Sequence, residues 1–198
     1  MNITVFASHG GSDMQAIIDG CKAGKINAKV VAMIGNNADS MAIKRAEKEG
    51  IDHYYLSHKE IEDADELERR MLEVLESHDT DFIFLAGYMR KLGDNILKKY
   101  ENRIFNIHPA LLPKYGGRGM YGIHVHEAVI AAGEKVSGVT IHRVNNEYDS
   151  GDIIAQTEVP VLEGDTAETL AARVLKREHE FLVEVVGKIA NGEVPLGR

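Results

Sequence analysis

The chain opens on the stretch Ile3-Thr4-Val5-Phe6-Ala7, which is followed by the turn His9-Gly10-Gly11-Ser12. The first stretch is short and almost entirely apolar, as expected for a strand that is buried on both faces. After the turn, apolar residues recur at helical spacing at Met14, Ile17, Ile18 and Cys21. The opening therefore predicts a strand, a loop and a helix, which is the repeating unit of a parallel α/β sheet.

The same alternation continues through the first half of the chain. Further strand-like runs lie at 30–34, 53–56, 82–85 and 104–107, and helical patterns separate them. Five short strands that alternate with helices predict a parallel sheet with helices on both faces. Ligands of such sheets bind beyond the carboxyl ends of the strands, so functional residues are expected at that edge.

The pattern changes after His108. Residues 109–122 contain two prolines and four glycines, which is too irregular for a helix or strand, and we interpret them as a functional loop. A short helix at 125–132, a hairpin of 136–144 with 152–161, and a long helix at 166–190 complete the prediction. The predicted fold class is α/β, a Rossmann-like and mostly parallel twisted sheet flanked by helices, with an antiparallel C-terminal hairpin, in one domain over 1–198.

Composition argues against several classes of function. The 198 residues carry a formal net charge of −8 and no run of Lys or Arg longer than two, which is unlike a nucleic-acid or membrane surface. The single cysteine, Cys21, allows no internal disulfide and fits a reducing compartment. The chain also begins with a strand-like run rather than a charged and then apolar leader. We expect a cytoplasmic monomer or homodimer that binds small molecules, with no nucleic acid and no membrane.

Three polar residues suggest the chemistry. Asn106 and His108 lie two residues apart at the end of the fifth apolar run, so in a strand both side chains point to one face. Asp149 follows in a segment rich in turn-forming residues. An amide can donate a hydrogen bond to a developing oxyanion, a protonated His can donate a proton, and an Asp can raise the pKa of that His. The trio predicts acyl transfer to an amine that the substrate supplies.

Each of these residues also has a plainer interpretation. An isolated His is most often an ordinary core residue, a carboxylate in a turn is most often solvated, and spacing alone does not pair Asp149 with His108. His124-Val125-His126 resembles a metal pattern, but it lacks a recognisable carboxylate partner, and we predict no metal.

The turn Gly10-Gly11-Ser12 lies between a strand and the start of a helix. Free backbone N–H groups, a hydroxyl and the helix dipole favour an anion such as phosphate there. The turn lacks the dinucleotide fingerprint and the P-loop ending, so nucleotide binding is not indicated. The alternative is a tight turn in which Ser12 or Asp13 caps the helix.

Several motifs occur in an order that resembles one known family. They are Gly11-Ser12, 85–90 (Leu-Ala-Gly-Tyr-Met-Arg), 106–115 (Asn-Ile-His-Pro-Ala-Leu-Leu-Pro-Lys-Tyr), 149–151 (Asp-Ser-Gly) and 177–179 (Arg-Glu-His). On these residues the sequence resembles the folate-dependent formyltransferases, and most closely those that act on phosphoribosylglycinamide in purine biosynthesis. The resemblance covers nearly the whole chain, and its most specific part is Asn-x-His-Pro followed by Leu-Leu-Pro.

The resemblance implies an activity. The formyl group of 10-formyltetrahydrofolate would move to the amine of 5-phosphoribosylglycinamide, giving N-formylglycinamide ribonucleotide and tetrahydrofolate. It implies that Asn106 holds the formyl oxygen, that His108 donates a proton, and that Asp149 raises the pKa of His108 and helps to organise a water.

The resemblance also assigns binding residues. Residues 1–100 would form a phosphate-binding half and residues 101–198 a catalytic and folate-binding half. The substrate-binding residues would be Gly11, Ser12, Asp13 and Glu178. The residues around the folate cosubstrate would be Met89, Arg90, Lys91, Leu92, Asn106, Asn145, Asn146, Glu147 and Tyr148.

The sequence departs from the family pattern in three places. The phosphate turn commonly ends in Gly-Ser-Asn in the family, whereas this chain has Asp13 in the third position. The link before His124 is longer than usual, and we expect its residues 116–122 to form a cationic lid near the site. Position 175, which is polar in some relatives, is Leu175 here, and no second Arg for the glutamate tail of folate is identified.

Alternative functions share parts of this pattern. A 10-formyltetrahydrofolate hydrolase, or deformylase, would use the same trio with water as the acceptor, but that family carries an extra N-terminal domain. A methionyl-tRNA formyltransferase would add a C-terminal RNA-binding domain and a basic surface. A non-catalytic phosphoribosyl- or folate-binding protein would leave the presence of the complete trio unexplained. The transferase is therefore the function we expect.

Overall fold

The computed structural model describes residues 1–197, which form seven strands and six helices. The strands are β1 (Asn2–Ala7), β2 (Lys29–Gly35), β3 (Asp52–Tyr55), β4 (Phe82–Leu85), β5 (Ile104–His108), β6 (Val136–Arg143) and β7 (Ile153–Pro160). The helices are α1 (Ser12–Lys22), α2 (Met41–Lys48), α3 (Ala64–Ser77), α4 (Asp94–Lys99), α5 (Ile123–Ala131) and α6 (Ala167–Ala190). Every strand and helix that the sequence predicts is present, with ends that differ by one or two residues at most positions.

The strands form one sheet in the order β3-β2-β1-β4-β5-β6-β7. The pairs from β3 through β5 are parallel, whereas β6 is antiparallel to both β5 and β7. The predicted α/β class, with a mostly parallel sheet and an antiparallel C-terminal hairpin, is confirmed. The division into a phosphate-binding half and a catalytic half stays a prediction.

Side-chain alternation along the strands creates two apolar layers, one on each face of the sheet. Val5 and Phe84 pack into the layer under α1 and α6, and their neighbours Phe6 and Ile83 pack into the layer under α3 and α4. All four side chains are completely buried. Because successive strand residues point to opposite faces, a strand buried on both sides is apolar at nearly every position, which explains the continuous apolar runs in the sequence.

Side-chain caps fix where the main helices begin. The Asp63 carboxylate accepts a hydrogen bond from the Glu66 N–H at 2.8 Å and starts α3. Thr166 and Thr169 form reciprocal hydrogen bonds, a capping box that starts α6. None of the helices within residues 1–197 combines the length and the apolar character that crossing a membrane requires.

The order of the strands reverses at β1, which has β2 on one side and β4 on the other. The loops that leave β1 and β4 are joined here, since the Ser8 N–H donates to the Gly87 carbonyl at 3.1 Å and the Ser8 hydroxyl accepts from the Met89 N–H at 2.8 Å. A crevice at such a switch point is the usual ligand site of an open parallel sheet. The fold therefore places the loop after β1, the loop after β4 and the end of β5 along one edge.

Candidate active site

Strand β5 and its antiparallel neighbour β6 supply the centre of the site. Asn106 lies opposite His142 in the sheet register, and His108 lies opposite Thr140. Asn106 and His108 share one face, as predicted from their spacing. The Thr140 hydroxyl donates to the Ala110 carbonyl at 2.7 Å and accepts from the Leu112 N–H at 3.1 Å, which anchors the start of the long loop that follows His108.

His142 orients the amide of Asn106. Its Nδ1–H donates to the Arg143 carbonyl at 2.7 Å, so in the neutral ring Nε2 carries the lone pair. That Nε2 lies 3.1 Å from Asn106 Nδ2, which donates to it. One amide hydrogen is therefore used to hold the side chain in place, and the second remains for a ligand.

Asp149 joins the two imidazoles. Its Oδ2 lies 3.7 Å from His108 Nδ1, and its Oδ1 lies 3.5 Å from His142 Nε2. The Gly117 N–H donates to Oδ2 at 2.8 Å. The structure thus brings Asn106, His108 and Asp149 into one cluster, although spacing alone could not pair the Asp with the His.

The backbone around Asp149 is adapted to this position. Asp149 has φ 54°, in the left-handed region that few residues other than glycine adopt. Two residues later Gly151 passes against the Arg143 carbonyl so closely that a Cβ at this position would overlap it. The loop can fold back onto β6 only because residue 151 is a glycine.

His108 is buried, with 4% of its surface exposed. Its Nε2 lies 2.7 Å from the Tyr115 carbonyl oxygen, to which it donates. Burial lowers the pKa of His108, whereas the Asp149 charge and the Tyr115 carbonyl raise it, and the net pKa lies below the ordinary value of 6.5. Asp149 acts in the direction that the sequence predicted, but desolvation of the imidazolium outweighs it.

Asp149 itself is held in its ionised form. Burial raises its pKa, but the nearby imidazoles of His142 and His108 and the hydrogen bond from Gly117 together lower it below the ordinary value of 3.8. An ionised carboxylate beside an imidazole is the arrangement that stabilises a protonated His when one forms.

The loop after β1 leaves the first turn of α1 open. Gly11 is the N-cap residue, with φ 70°, and no side chain caps the helix. The alternative in which Ser12 or Asp13 caps α1 is therefore wrong, because both residues lie within the helix. A Cβ on Gly11 would lie 2.7 Å from the Ala42 Cα, so glycine permits α2 to pack closely here. The N–H groups of the first turn therefore have no side-chain cap, and free N–H groups at a helix start suit an anion.

Asp13 meets two residues of α6. Its Oδ1 lies 3.3 Å from His179 Nε2, and its charge acts on the carboxyl of the neighbouring Glu178. Burial and the Asp13 charge raise the pKa of Glu178 well above its usual range. Of the residues predicted to bind the acceptor substrate, Gly11, Ser12 and Asp13 lie at the start of α1, and Glu178 lies in the middle of α6.

The two segments predicted to bind folate, residues 89–92 and 145–148, contact each other. Lys91 Nζ donates to the Asn146 carbonyl at 3.0 Å and lies 4.9 Å from the centre of the Tyr148 ring. Tyr148 is 49% exposed and Met89 is 38% exposed, so both offer apolar surface to a ligand. Leu92 differs from them, because its side chain is buried in the layer under α3 and α4.

Three more residues predicted to bind folate lie in the same two segments, namely Arg90, Asn145 and Glu147. Arg90 is exposed beside Lys91. The Asn145 side-chain oxygen accepts from the Glu147 N–H and from the Ser150 hydroxyl, both at 2.9 Å, and so closes the turn that leads to Asp149. Asn145 and Glu147 shape the loop, while Lys91 connects it to the end of β4.

His124 and His126 do not act as a pair. His124 Nδ1 lies 3.0 Å from the Glu127 carboxylate on the exposed side of α5, whereas His126 is buried close to His108. Burial lowers the pKa of His126. Within residues 1–197, no three His, Cys, Asp or Glu side chains are grouped so that they could hold a metal ion.

The sequence reasoning missed three parts of the site. They are His142, which orients Asn106, the Tyr115 carbonyl, which accepts from His108, and His179, which adjoins Asp13. Each lies in a segment that the sequence marks: His142 in a predicted hairpin strand, Tyr115 in the 106–115 motif and His179 in the 177–179 motif. Their partners depend on strand register and helix packing that the sequence does not specify.

The comparisons with known proteins agree with this geometry. The family model of the formyl transferases matches residues 1–186. The chain belongs to the formyl transferase family. The resemblance that the Asn-x-His-Pro segment suggested is confirmed, and the match includes β5, β6 and the loop that carries Asp149.

Individual members of the family are similar to this chain over nearly its whole length. The chain is 42% identical over 193 residues to a chloroplastic phosphoribosylglycinamide formyltransferase of Arabidopsis thaliana, covering 97% of this chain and 66% of that protein. It is 36% identical to the phosphoribosylglycinamide formyltransferase of Escherichia coli strain K12, covering 99% of this chain and 90% of that protein. The crystal structure of phosphoribosylglycinamide formyltransferase from Brucella melitensis superimposes with a TM-score of 0.88 at 40% identity, over 99% and 98% of the two chains.

Proposed function

We propose that this chain transfers the formyl group of 10-formyltetrahydrofolate to the amine of 5-phosphoribosylglycinamide, giving N-formylglycinamide ribonucleotide and tetrahydrofolate, as a step of purine biosynthesis. The observation that carries the proposal is the cluster of Asn106, the buried His108 and Asp149 at the edge where the uncapped first turn of α1 also lies. An amide, an imidazole and a carboxylate suit acyl transfer, and an open helix N-terminus suits a phosphate.

In this proposal Asn106 stabilises the oxyanion. The substrate amine attacks the formyl carbon, and the formyl oxygen gains negative charge. The free amide hydrogen of Asn106 donates to that oxygen, while His142 keeps the amide from rotating. One such donor in a site that excludes water contributes about 3–4 kcal/mol to the stability of the transition state.

His108 supplies the proton. In its protonated form Nε2–H donates to the Tyr115 carbonyl and Nδ1–H faces Asp149, so the Asp149 charge stabilises the cation. Delivery of a proton to the substrate requires His108 to exchange the Tyr115 carbonyl for a substrate atom or a water. The glycines at 116, 117, 119 and 122 give the adjoining loop the freedom for this exchange, and we assign the 116–122 segment the role of a lid.

The two substrates approach from opposite sides of the cluster. The phosphate of the acceptor would bind at Gly11, Ser12 and Asp13, with Glu178 close to its ribose. The folate-derived formyl donor would bind between the loop after β4 and the 145–149 loop, where Met89 and Tyr148 offer apolar surface and Lys91 offers a cation. A requirement for 10-formyltetrahydrofolate without a metal, the cytoplasmic location and the monomeric or homodimeric state stay predictions.

Amine-dependent turnover tests the proposal. Purified protein is mixed with 10-formyltetrahydrofolate with and without glycinamide ribonucleotide, and both the ultraviolet change and the mass of the ribonucleotide are followed. The expected result is loss of the formyl donor only with the amine, together with a formylated ribonucleotide. The His108→Ala variant provides the blank. Equal loss without the amine would identify a deformylase, and no loss in either case would indicate a binding protein, so either result would overturn the proposal.

A further inference from the structure

Asp13 places a carboxylate in the part of the molecule where a phosphate is proposed to bind. It lies next to Ser12 in the first turn of α1, a helix that no side chain caps. An ionised carboxylate at this position repels a phosphate and competes with it for the free N–H groups of the turn. Binding of a phosphate here therefore requires a group that holds the Asp13 carboxylate aside and offsets its charge.

The imidazole of His179, on α6, is in contact with this carboxylate. Its Nε2 lies 3.3 Å from Asp13 Oδ1, and within residues 1–197 it is the one basic group that forms an ion pair with Asp13. The Asp13 side chain is 13% exposed and that of His179 is 34% exposed. Both Nε2 and Oδ1 are buried, and neither has another hydrogen-bond partner among the described residues. Two facing lone pairs would repel, so the contact is favourable when Nε2 carries a hydrogen.

The charge around Asp13 also depends on its neighbours on α6, α1 and α2. Glu178, beside His179 on α6, is buried, and burial followed by the Asp13 charge raises its pKa well above the usual range, so it supplies no cation. The positive end of the α1 dipole lies at the turn, and Arg45 of α2 donates to the Gly10 carbonyl at 3.0 Å. These two features attract an anion to the turn, but they do not fix where the Asp13 carboxylate points.

We propose that His179 is a positioning residue for the acceptor substrate: it holds the Asp13 carboxylate on the α6 side of the turn and offsets its charge, which leaves the N–H groups at the start of α1 to the phosphate. The inference rests on the proposed function, which places a phosphate at this turn. It requires a hydrogen on Nε2, which the imidazolium and one neutral tautomer both supply. Because His179 acts through Asp13 and not on the reacting atoms, its loss should weaken acceptor binding and leave the chemical step unchanged.

A double-mutant cycle on positions 13 and 179 tests this link. The kinetics of wild type, His179→Ala, Asp13→Asn and the variant with both changes are compared at one pH near neutral. We expect His179→Ala to raise the acceptor KM about fivefold, with kcat and the donor KM within about twofold of the wild type. In the Asp13→Asn background, which has no carboxylate to hold aside, the same change should raise the acceptor KM by less than about twofold.

Lys188→Ala is the matched control, because it removes an exposed cation further along the same helix, and its acceptor KM should follow the wild type. Thermal unfolding of each variant checks that the fold is retained. An equal effect of His179→Ala in the two backgrounds would overturn the proposal, since His179 would then not act through Asp13. A fall in kcat with an unchanged acceptor KM would also overturn it.

Calorimetric titration with glycinamide ribonucleotide, without any formyl donor, separates this inference from the proposed function. His179→Ala should bind the ribonucleotide about fivefold more weakly than the wild type, and the loss should largely disappear in the Asp13→Asn background. If the wild type binds the ribonucleotide and the loss is equal in both backgrounds, the role of His179 fails while the acceptor assignment stands. If the wild type does not bind it, the proposed function and this inference fail together.

Discussion

Two clusters of carboxyl and imidazole groups lie along the same edge of the sheet, and they differ in how charge is arranged. In the catalytic cluster one carboxylate, Asp149, faces the imidazoles of His108 and His142. In the cluster at α1, Asp13 lies beside the His179 imidazole, and its negative charge acts on the buried carboxyl of Glu178. The pKa of Asp149 is lowered and that of Glu178 is raised. Burial, with the Asp13 charge second, raises the pKa of Glu178, whereas the groups around Asp149 outweigh its burial and lower its pKa.

The largest effect is expected from His108→Ala. Removal of the proton donor should lower kcat by about a hundredfold or more, because general acid catalysis contributes about 10²–10⁴-fold. The fold should be retained, which circular dichroism can check. His53→Ala is the control, since this exposed His lies on the edge strand β3, away from β5 and the loop that follows it. Near-normal turnover by His108→Ala would show that His108 is not the proton donor and that this cluster is not catalytic.

Asp149→Asn should lower kcat by about a hundredfold while retaining the shape of the site. The Asp149 charge raises the pKa of His108 against the effect of burial, so its loss should lower that pKa further. Because the protonated His is the donor, activity falls as the pH rises above this pKa. The decline of kcat with pH should therefore begin at a lower pH in the variant than in the wild type. A decline at the same pH in both proteins would contradict the electrostatic role of Asp149.

The smallest of these effects is expected from Gly116→Ala. A Cβ at this position would overlap the Leu112 side chain and lie 3.2 Å from the Asp149 Cβ, so the loop must shift away from Asp149. We expect kcat to fall about tenfold, because small displacements of catalytic groups are costly. Lys114→Ala, which removes an exposed ion pair with Glu134 from the same loop, should leave kcat close to normal. Equal kinetics for Gly116→Ala and the wild type would show that the loop contact does not position Asp149.

The sequence predicted those parts of the molecule that depend on local periodicity. The spacing of Asn106 and His108 was sufficient to put them on one face, because a strand alternates its side chains whatever surrounds it. The parallel sheet, its helices and the C-terminal hairpin followed from apolar runs and turn residues in the same way.

The contacts between segments far apart in the chain could not be predicted from the sequence. Asp149 reaches His108 through a left-handed backbone and the close approach of Gly151 to β6, and His142 meets Asn106 through the strand register. Asp149 raises the pKa of His108 as predicted, but the net pKa lies below 6.5, because burial of the imidazole depends on groups that only the folded chain brings around it. Asp13 and His179 lie on two helices far apart in sequence, so their contact could not be inferred from either segment.

The most direct test of the account is the titration of His108 by ¹⁵N nuclear magnetic resonance in the wild type and in Asp149→Asn. The account predicts that the His108 pKa lies below 6.5 in the wild type and falls further when the Asp149 charge is removed. A His108 pKa that is unchanged or higher in Asp149→Asn would contradict the claim that this carboxylate supports the protonated imidazole.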